Sequence, residues 1–469
     1  MTEKNPRILE LSGGQKSAKS SGADWSGAAA FFMCVEIALI AWLFSGSSAE
    51  YAFPMFASAV LCFAFCAFSR GGASSAPERV ATAALLLLCA VSAIEYFNPS
   101  HENVVCGRYS FLRSLDFISW LPTSVKAEYY SGNVFSSLVN ISAALCVFAA
   151  APRLFASKKR RLAILSWLAI NAVLMGIVAC VQRYEKTPIV YNCYYSTADF
   201  FGSFPLSNAA GAFLNLGAAL CVYLAFAGYN STAKKLFLGA FWLCAAVFLS
   251  YAAHLSGSKG AALSNALFWV GFAFICLVRA SAFLARRTSA LFVAAAWCCV
   301  IFFALCMMPP LSASMAEVKK VAESKTVKES ALSRFELYKL AGPLVEKRPL
   351  WGYGGGACAY VLPIESMKTY DASQAKTAAI ATHAHCDILE YAIDYGLFGV
   401  AVILSILAAW GYGFLKRGRT FGQVVLFSAA VFCMAHSCVD LHLHIPSTMI
   451  ALAIIMAASA VDERKDSGL

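Results

Sequence analysis

Apolar runs of about 20 residues recur along the whole chain, and they constrain its fold more than any other feature. A run of this length crosses the roughly 30 Å hydrocarbon core of a bilayer as an α-helix. Of the 469 residues, 60% are hydrophobic and only 13% are charged. Because a water-soluble domain could not bury so much apolar surface, the sequence predicts an all-α integral membrane protein.

Twelve such runs can be placed in the sequence. Lys and Arg in short loops stay on the cytoplasmic side of a membrane, and most of the 37 basic residues fall in alternate loops. This pattern predicts that both termini are cytoplasmic and that the net charge of +11 needs no nucleic acid to explain it. The predicted spans lie near residues 27–46, 50–69, 79–96, 134–152, 162–182, 206–229, 236–254, 261–279, 289–308, 396–415, 423–441 and 446–461.

These spans divide the chain into four parts. Residues 1–24 form a polar cytoplasmic tail, and residues 25–308 carry spans one to nine. Residues 309–395 form a periplasmic loop, and residues 396–469 carry spans ten to twelve with a short cytoplasmic tail. The loop sequence SALSRFELYKLAGPLVEK has helical periodicity, and Pro349 is expected to end that helix. The loop is therefore predicted to be a partly helical cap.

Most of the 18 cysteines lie inside apolar runs, where Cys behaves as a small hydrophobic residue. Cys106 and Cys193 differ because each lies in a predicted outer loop. A disulfide between them and two unpaired thiols are both compatible with the sequence.

All seven histidines are expected on the outer side or at the outer ends of spans. The densest polar stretch is THAHCDILEYAIDYG, residues 382–396, just before span ten. Histidines gathered at one membrane face indicate a functional site there, although His442 and His444 are expected to be interfacial. Transporters and flippases instead concentrate ionisable groups at the bilayer midplane, where Glu36 in span one is the clear exception. An enzyme at the outer surface is therefore favoured over a transporter.

Five blocks, in order along the C-terminal two-thirds of the chain, resemble the superfamily of O-antigen ligases and O-antigen polymerases. They are GSFPLSNAAGAFL (202–214), SGSKGAALS (256–264), RFELYKLAGPLVEKRPLWGYGGGACAY (334–360), HAHCDILEYAIDYGLFGV (383–400) and AHSCVDLHLHIPS (435–447). The resemblance implies a metal-independent membrane glycosyltransferase without a cofactor. It implies a glycan donor carried on a polyprenyl diphosphate such as undecaprenyl diphosphate, and an acceptor hydroxyl on the periplasmic face.

A diphosphate leaving group needs cationic charge rather than a general acid, and the planar guanidinium of arginine binds phosphate oxygens in pairs. Arg334 matches the family arginine and is expected to head the cap helix. Lys259 stands where the family usually has arginine, so Arg183 or Arg348 is a further candidate for the diphosphate. A lysine at the outer end of span eight is also compatible with simple snorkelling.

The acceptor hydroxyl must lose a proton, and a histidine near neutral pKa is a natural base. His385 is the better match to the family histidine and is preferred over His383. Asp387 or Glu390 is expected either to orient the imidazole or to cap the following helix.

Three further residues are assigned a supporting role. His436 and Asp440, spaced i, i+4, share one helical face, and Asn208 is the remaining polar residue of its block.

A zinc site at the histidines is the rival interpretation of the outer site, but the spacing of these ligands does not match a common zinc motif.

The resemblance leaves two enzyme functions open. A ligase transfers the glycan to the lipid A core of lipopolysaccharide, whereas a polymerase transfers it to another repeat unit. The large outer cap and the absence of a separate soluble C-terminal domain favour a ligase slightly.

Overall fold

The fold is described from a computed structural model. It describes residues 24–46, 49–69, 75–106, 109–127, 133–185, 189–190, 194–195, 200–227, 232–284, 325–369, 382–416 and 419–463. Predicted span nine (289–308) and Cys193 lie outside these residues.

Thirteen α-helices are formed by the described residues. They are α1 (Ser26–Trp42), α2 (Ala49–Phe68), α3 (Ala76–Phe97), α4 (Val134–Phe155), α5 (Lys158–Glu185), α6 (Ser207–Ala225), α7 (Thr232–Leu255), α8 (Lys259–Leu284), α9 (Lys325–Lys347), α10 (Cys358–Thr369), α11 (Asp387–Leu415), α12 (Phe421–Ser437) and α13 (Pro446–Ala460). Eight of these are long and apolar enough to cross a membrane, and α1, α12 and α13 are shorter apolar helices. The protein is thus a mostly helical, multi-pass membrane protein, and twelve spans remains a prediction.

Helix α6 lies at the centre of the bundle, with 83% of its apolar stretch buried. Its glycines permit this close packing, because a Cβ on Gly211 would overlap the Ala261 side chain, and one on Gly217 would lie 2.8 Å from Ala172 Cβ. Small residues that let helix backbones approach closely are the usual means of packing helices in membranes.

The segment between α3 and α4 departs from the all-helical prediction. It contains β1 (Pro99–Cys106), β2 (Tyr109–Ser114) and β3 (Ser124–Lys126), ordered β2-β1-β3, with β1 antiparallel to β2 and parallel to β3. A second hairpin joins β4 (Ile189–Val190) and β5 (Tyr194–Tyr195). Short loop strands whose backbones pair with one another escape a search for long apolar runs.

The described part of the cap consists of α9 and α10 packed around a small hydrophobic core of its own, separate from that of the bundle. Helix α9 ends two residues before Pro349, as predicted. It begins at Lys325, however, so Arg334 lies within the helix and not at its head. The residues before Arg334 include Lys, Glu, Ala and Leu, whose helix propensity is high and extends the helix upstream.

Helix α11 is interrupted at Gly396, where φ is +63°. A Cβ at this position would overlap the Leu350 carbonyl oxygen. The amides of Leu397 and Phe398 donate instead to the carbonyls of Pro349 and Leu350, at 2.7 and 3.2 Å. The break therefore ties the start of predicted span ten to the end of the cap helix.

Candidate functional site

The carboxylate of Asp440 is the meeting point of four polar side chains from different parts of the chain. Asn208 Nδ2 donates to Asp440 Oδ1 at 2.9 Å, and His436 Nε2 lies 3.4 Å from Oδ2. Arg334 Nη2 lies 3.8 Å from Oδ2, and His385 Nδ1 lies 3.9 Å from Oδ1. All five residues were predicted for the site, and the structure brings them together.

Asp440 is only 3% exposed. Burial alone would raise its pKa, but the interactions with His385 and His436 and the Leu441 amide hold the pKa well below its usual range. The residue follows the end of α12, so it lies in the turn beyond the helix that carries His436. Because its charge is retained at neutral pH, Asp440 can hold Arg334 and the two imidazoles in one place.

His385 projects from the segment just before α11 and has an unusual backbone. Its φ is +51°, in the left-handed region that only Gly visits routinely. Tyr338 of the cap helix donates its hydroxyl hydrogen to the His385 carbonyl at 3.1 Å. With 41% of its side chain exposed, His385 combines a backbone fixed by the cap with an imidazole open to solvent.

His383 has a different carboxylate partner. Its Nδ1 hydrogen-bonds Glu390 Oε1 at 2.8 Å, while Glu390 Oε2 accepts the Ala384 amide at 3.1 Å. Glu390 is buried and His383 is 40% exposed. A carboxylate on Nδ1 leaves the other ring nitrogen of His383 free to accept a proton.

Glu390 also faces His444, which the sequence did not mark as part of the site. His444 Nδ1 lies 2.6 Å from Asp387 Oδ1, and its Nε2 lies 3.6 Å from Glu390 Oε1. Tyr391 stacks on the imidazole with ring centroids 4.3 Å apart. Although burial opposes protonation, the carboxylates of Glu390 and Asp387 raise the pKa of His444 to about 9.

His442 and His444, which were expected to be interfacial, both have polar partners inside the protein. His442 is fully buried, its Nε2 lies 3.0 Å from the Cys433 carbonyl, and its ring packs on His436 at 4.3 Å. Burial and the neighbouring His436 lower the pKa of His442 to about 4. The hydropathy of the sequence does not indicate that these histidines have partners inside the protein, because the loop from α12 to α13 folds back into the protein.

The basic residues predicted for the diphosphate take two different positions. Lys259 is exposed at the first residue of α8, and its neighbour Gly260 packs so closely that an added Cβ would overlap His436 Nε2. Arg183 Nη2 lies 4.0 Å from the place of a Cβ on Gly257, whose φ is +80°. Lys259 and Arg183 therefore border the turn that leads into α8, on the His436 side of the site.

Arg348 lies elsewhere, at the contact between the cap and the sheet. It donates to the hydroxyls of Ser100 and Thr123 and stacks on the rings of Phe117 and Tyr353. These contacts join the cap to β1 and to the residue before β3, and none of them involves Asp440.

The glycine-rich turn after α9 has backbone amides that face Asp394. Gly356 N and Cys358 N donate to the Asp394 carboxylate at 2.9 and 2.8 Å. Gly354 takes a φ of +105°, and a Cβ there would overlap the Thr123 carbonyl oxygen. The turn therefore binds a carboxylate of the protein itself.

A small pocket adjoins His436 between α6, α8 and α12. Its lining is mostly apolar and includes Leu216, Phe268 and Phe432, and its polar members are Asn215, Ser264 and His436. Within the described part of the chain, no group of three His, Cys, Asp or Glu side chains is arranged to hold a metal ion.

The fold and the site together define a multi-pass membrane protein with a cluster of histidine, arginine and carboxylate side chains at one end of its helical bundle. Residues 244–404 match the family model described as O-Antigen ligase. This match covers about a third of the chain and supports the resemblance to the O-antigen ligase superfamily, a family of membrane glycosyltransferase-like enzymes, that the motifs predict. A search of the curated proteins finds no match. The matched segment includes Lys259, Arg334, His383 and His385 but ends before Asp440.

Proposed function

We propose that this protein transfers a glycan from a polyprenyl diphosphate carrier to an acceptor hydroxyl on the periplasmic face of the bacterial inner membrane. The observation that carries this proposal is the convergence of Arg334 and His385 on the Asp440 carboxylate. The reaction needs a cation beside the departing diphosphate and a base beside the attacking hydroxyl. One buried anion positions both groups.

Arg334 is the proposed partner of the diphosphate. Its side chain is 35% exposed, and a guanidinium held on one edge by Asp440 keeps further N–H groups for phosphate oxygens. Lys259 and Arg183 add positive charge on the adjoining side of the site. No metal ion is required for this role, because these cations can offset the charge that develops on the leaving group.

His385 is the proposed general base. It shares Asp440 with Arg334, so a hydroxyl that contacts its imidazole would lie close to the bound donor. His383 is the second candidate, since Glu390 orients its ring as a carboxylate orients a catalytic histidine. Asn208 and His436 support the site by fixing the Asp440 carboxylate.

We favour the ligase form of this reaction, with the lipid A core as acceptor and both termini of the chain in the cytoplasm. Deletion of the gene in its host, followed by gel analysis of lipopolysaccharide, tests the proposal. Bare core with full-length polymer retained on the lipid carrier supports a ligase, whereas core bearing one repeat unit supports a polymerase. Unchanged glycans with impaired movement of a solute would refute both enzyme functions.

The proposed residues are tested in the purified protein with a lipid-linked glycan and an acceptor. We expect Arg334→Ala and His385→Ala to abolish transfer while membrane insertion is retained. Full activity of His385→Ala together with an inactive His383→Ala would assign the base to His383. Chelators are expected to leave transfer unchanged, and a loss of activity that added metal restores would contradict the metal-independent mechanism.

A further inference from the structure

Glu95, in the last turn of α3, is a buried carboxyl group that the proposed reaction does not use. Its side chain is fully buried, and Oε1 has no hydrogen-bond partner among the described residues. Oε2 accepts one long hydrogen bond, of 3.5 Å, from the Gly355 amide. A buried carboxylate without a partner costs several kcal/mol, so a group with this environment requires a proton or a cation.

Two hydroxyl-bearing side chains lie next to Gly355, whose amide faces this carboxyl group. A Cβ placed on Gly355 would lie 2.6 Å from the Tyr395 hydroxyl oxygen and 3.0 Å from Ser137 Cβ. The Tyr395 hydroxyl is buried and has no hydrogen-bond partner in the described part of the chain. Glu95, Tyr395 and Ser137 therefore meet beneath the glycine turn, where a side chain on Gly355 would overlap the Tyr395 hydroxyl.

Two more unpartnered oxygens lie one helical turn deeper. Ser92 precedes Glu95 by three residues on α3, and Asn140 follows Ser137 by three residues on α4, so each shares a face with its neighbour. The Ser92 hydroxyl and the Asn140 amide oxygen are both buried, and neither makes a hydrogen bond to another described residue. Unsatisfied buried polar atoms are rare in native proteins, and a bound ion is one of the few explanations for a group of them.

The chemical types and the charge of these oxygen ligands favour one kind of cation. Carboxylate, amide and hydroxyl oxygens are ligands of hard cations, and Glu95 supplies one negative charge. The nearby Asp394 has both oxygens engaged by the amides of Gly356 and Cys358. A divalent calcium site commonly gathers several carboxylates, whereas one carboxylate with neutral oxygens matches a monovalent ion.

We infer that Glu95, Tyr395, Ser92 and Asn140 form a sodium-ion site between α3, α4 and α11, beneath the glycine turn. The ion would tie the cap to the membrane helices and would therefore stabilise the folded protein. This inference is independent of the proposed glycosyl transfer, since none of the four residues contacts Asp440 or its partners.

A second buried glutamate provides a matched control. Glu36 in α1 is also fully buried, and neither of its carboxyl oxygens has a hydrogen-bond partner in the described structure. The ionisable groups near it are the thiols of Cys62 and Cys146, which are soft ligands unsuited to sodium. The Ser58 hydroxyl also lies beside Glu36 and donates to the Phe32 carbonyl, so Glu36 has the burial of Glu95 with fewer oxygen atoms free to bind an ion.

The test is the thermal unfolding midpoint of the full-length protein in detergent, in about 0.15 M sodium, potassium or N-methylglucamine chloride at equal ionic strength. We expect a higher midpoint in sodium, by several degrees and saturating with concentration, because a ligand that binds only the folded state stabilises it. Glu95→Gln and Tyr395→Phe should lose this increment, and Glu36→Gln should keep it.

Equal midpoints of the wild-type protein in the three salts would overturn the inference and would indicate a protonated Glu95. Retention of the sodium increment by both Glu95→Gln and Tyr395→Phe would also overturn it. If Glu95→Gln does not fold, Tyr395→Phe alone decides, because it removes one oxygen and leaves the carboxyl group in place.

Discussion

Glu390 Oε1 lies between two imidazoles, 2.8 Å from His383 Nδ1 and 3.6 Å from His444 Nε2. The Glu390→Gln variant keeps the shape of the side chain but removes its charge. We expect transfer to fall about 10-fold or more, since a neutral amide no longer orients His383 as a proton acceptor. The initial rate of transfer in reconstituted protein measures this effect.

Glu346→Gln is the matched control for Glu390→Gln, because Glu346 is exposed on the cap helix. It should retain the wild-type rate. A Glu390→Gln variant with wild-type activity at every pH would show that the His383–Glu390 pair has no part in the reaction.

Neutralisation of Asp440 should have a larger effect. Asp440→Asn removes the negative charge that Arg334, His385 and His436 share, and it leaves two imidazoles and a guanidinium without their common anion. We expect a loss of transfer of about 100-fold or more, with the protein still inserted in the membrane. Asp116→Asn, at an exposed loop position, is the control, and equal rates for the two variants would contradict the central role of Asp440.

The membrane helices were predictable because the length and hydropathy of an apolar run are visible in the local sequence. Eleven of the twelve predicted spans overlap a described helix, and the other lies outside the described residues. The sheet β2-β1-β3 was missed since PSHENVVC and YSFLRS are short and polar, and their pairing depends on contacts between segments.

The site was predictable as a set of residues but not as an arrangement. Asn208, Arg334 and His385 lie in separate segments of the chain. Only the tertiary fold shows that all three side chains lie beside the Asp440 carboxylate. The glycine turn illustrates the same limit, because three consecutive glycines do not reveal in the sequence that the amides of this turn bind Asp394. His444 was undervalued because nothing in its local sequence signals the two buried carboxylates that face it.

The stability of the protein should depend on pH through His444. Its pKa of about 9 lies above the ordinary value of 6.5, so its contribution is complete below about pH 6.5 and is lost as the pH rises through 9. The contribution is on the order of 3 kcal/mol or less. Asp387, Glu390 and Asp394 are the acidic groups that raise this pKa.

The measurement is the thermal unfolding midpoint of the wild-type protein and of His444→Gln, taken from about pH 6 to about pH 10 in steps of about one pH unit. The wild-type protein should lose its advantage over the variant across this range. His101→Gln is the control, because burial lowers the pKa of His101, away from the alkaline pH at which His444 titrates. A constant difference between wild-type protein and His444→Gln would mean that His444 is not a cation in the folded state.

Gly260 gives a steric test of the contact between α8 and the site. A Cβ at this position would overlap His436 Nε2, so Gly260→Ala must displace the imidazole that supports Asp440. We expect a destabilisation of about 1–3 kcal/mol, typical of overpacking, together with a loss of transfer.

Gly411→Ala is the matched control, since a Cβ there would meet nothing within 4 Å. An alanine in that helix interior should be neutral or slightly stabilising. Equal unfolding midpoints and rates for the two variants would show that α8 does not press against His436, and the role of Lys259 beside the diphosphate would lose its support.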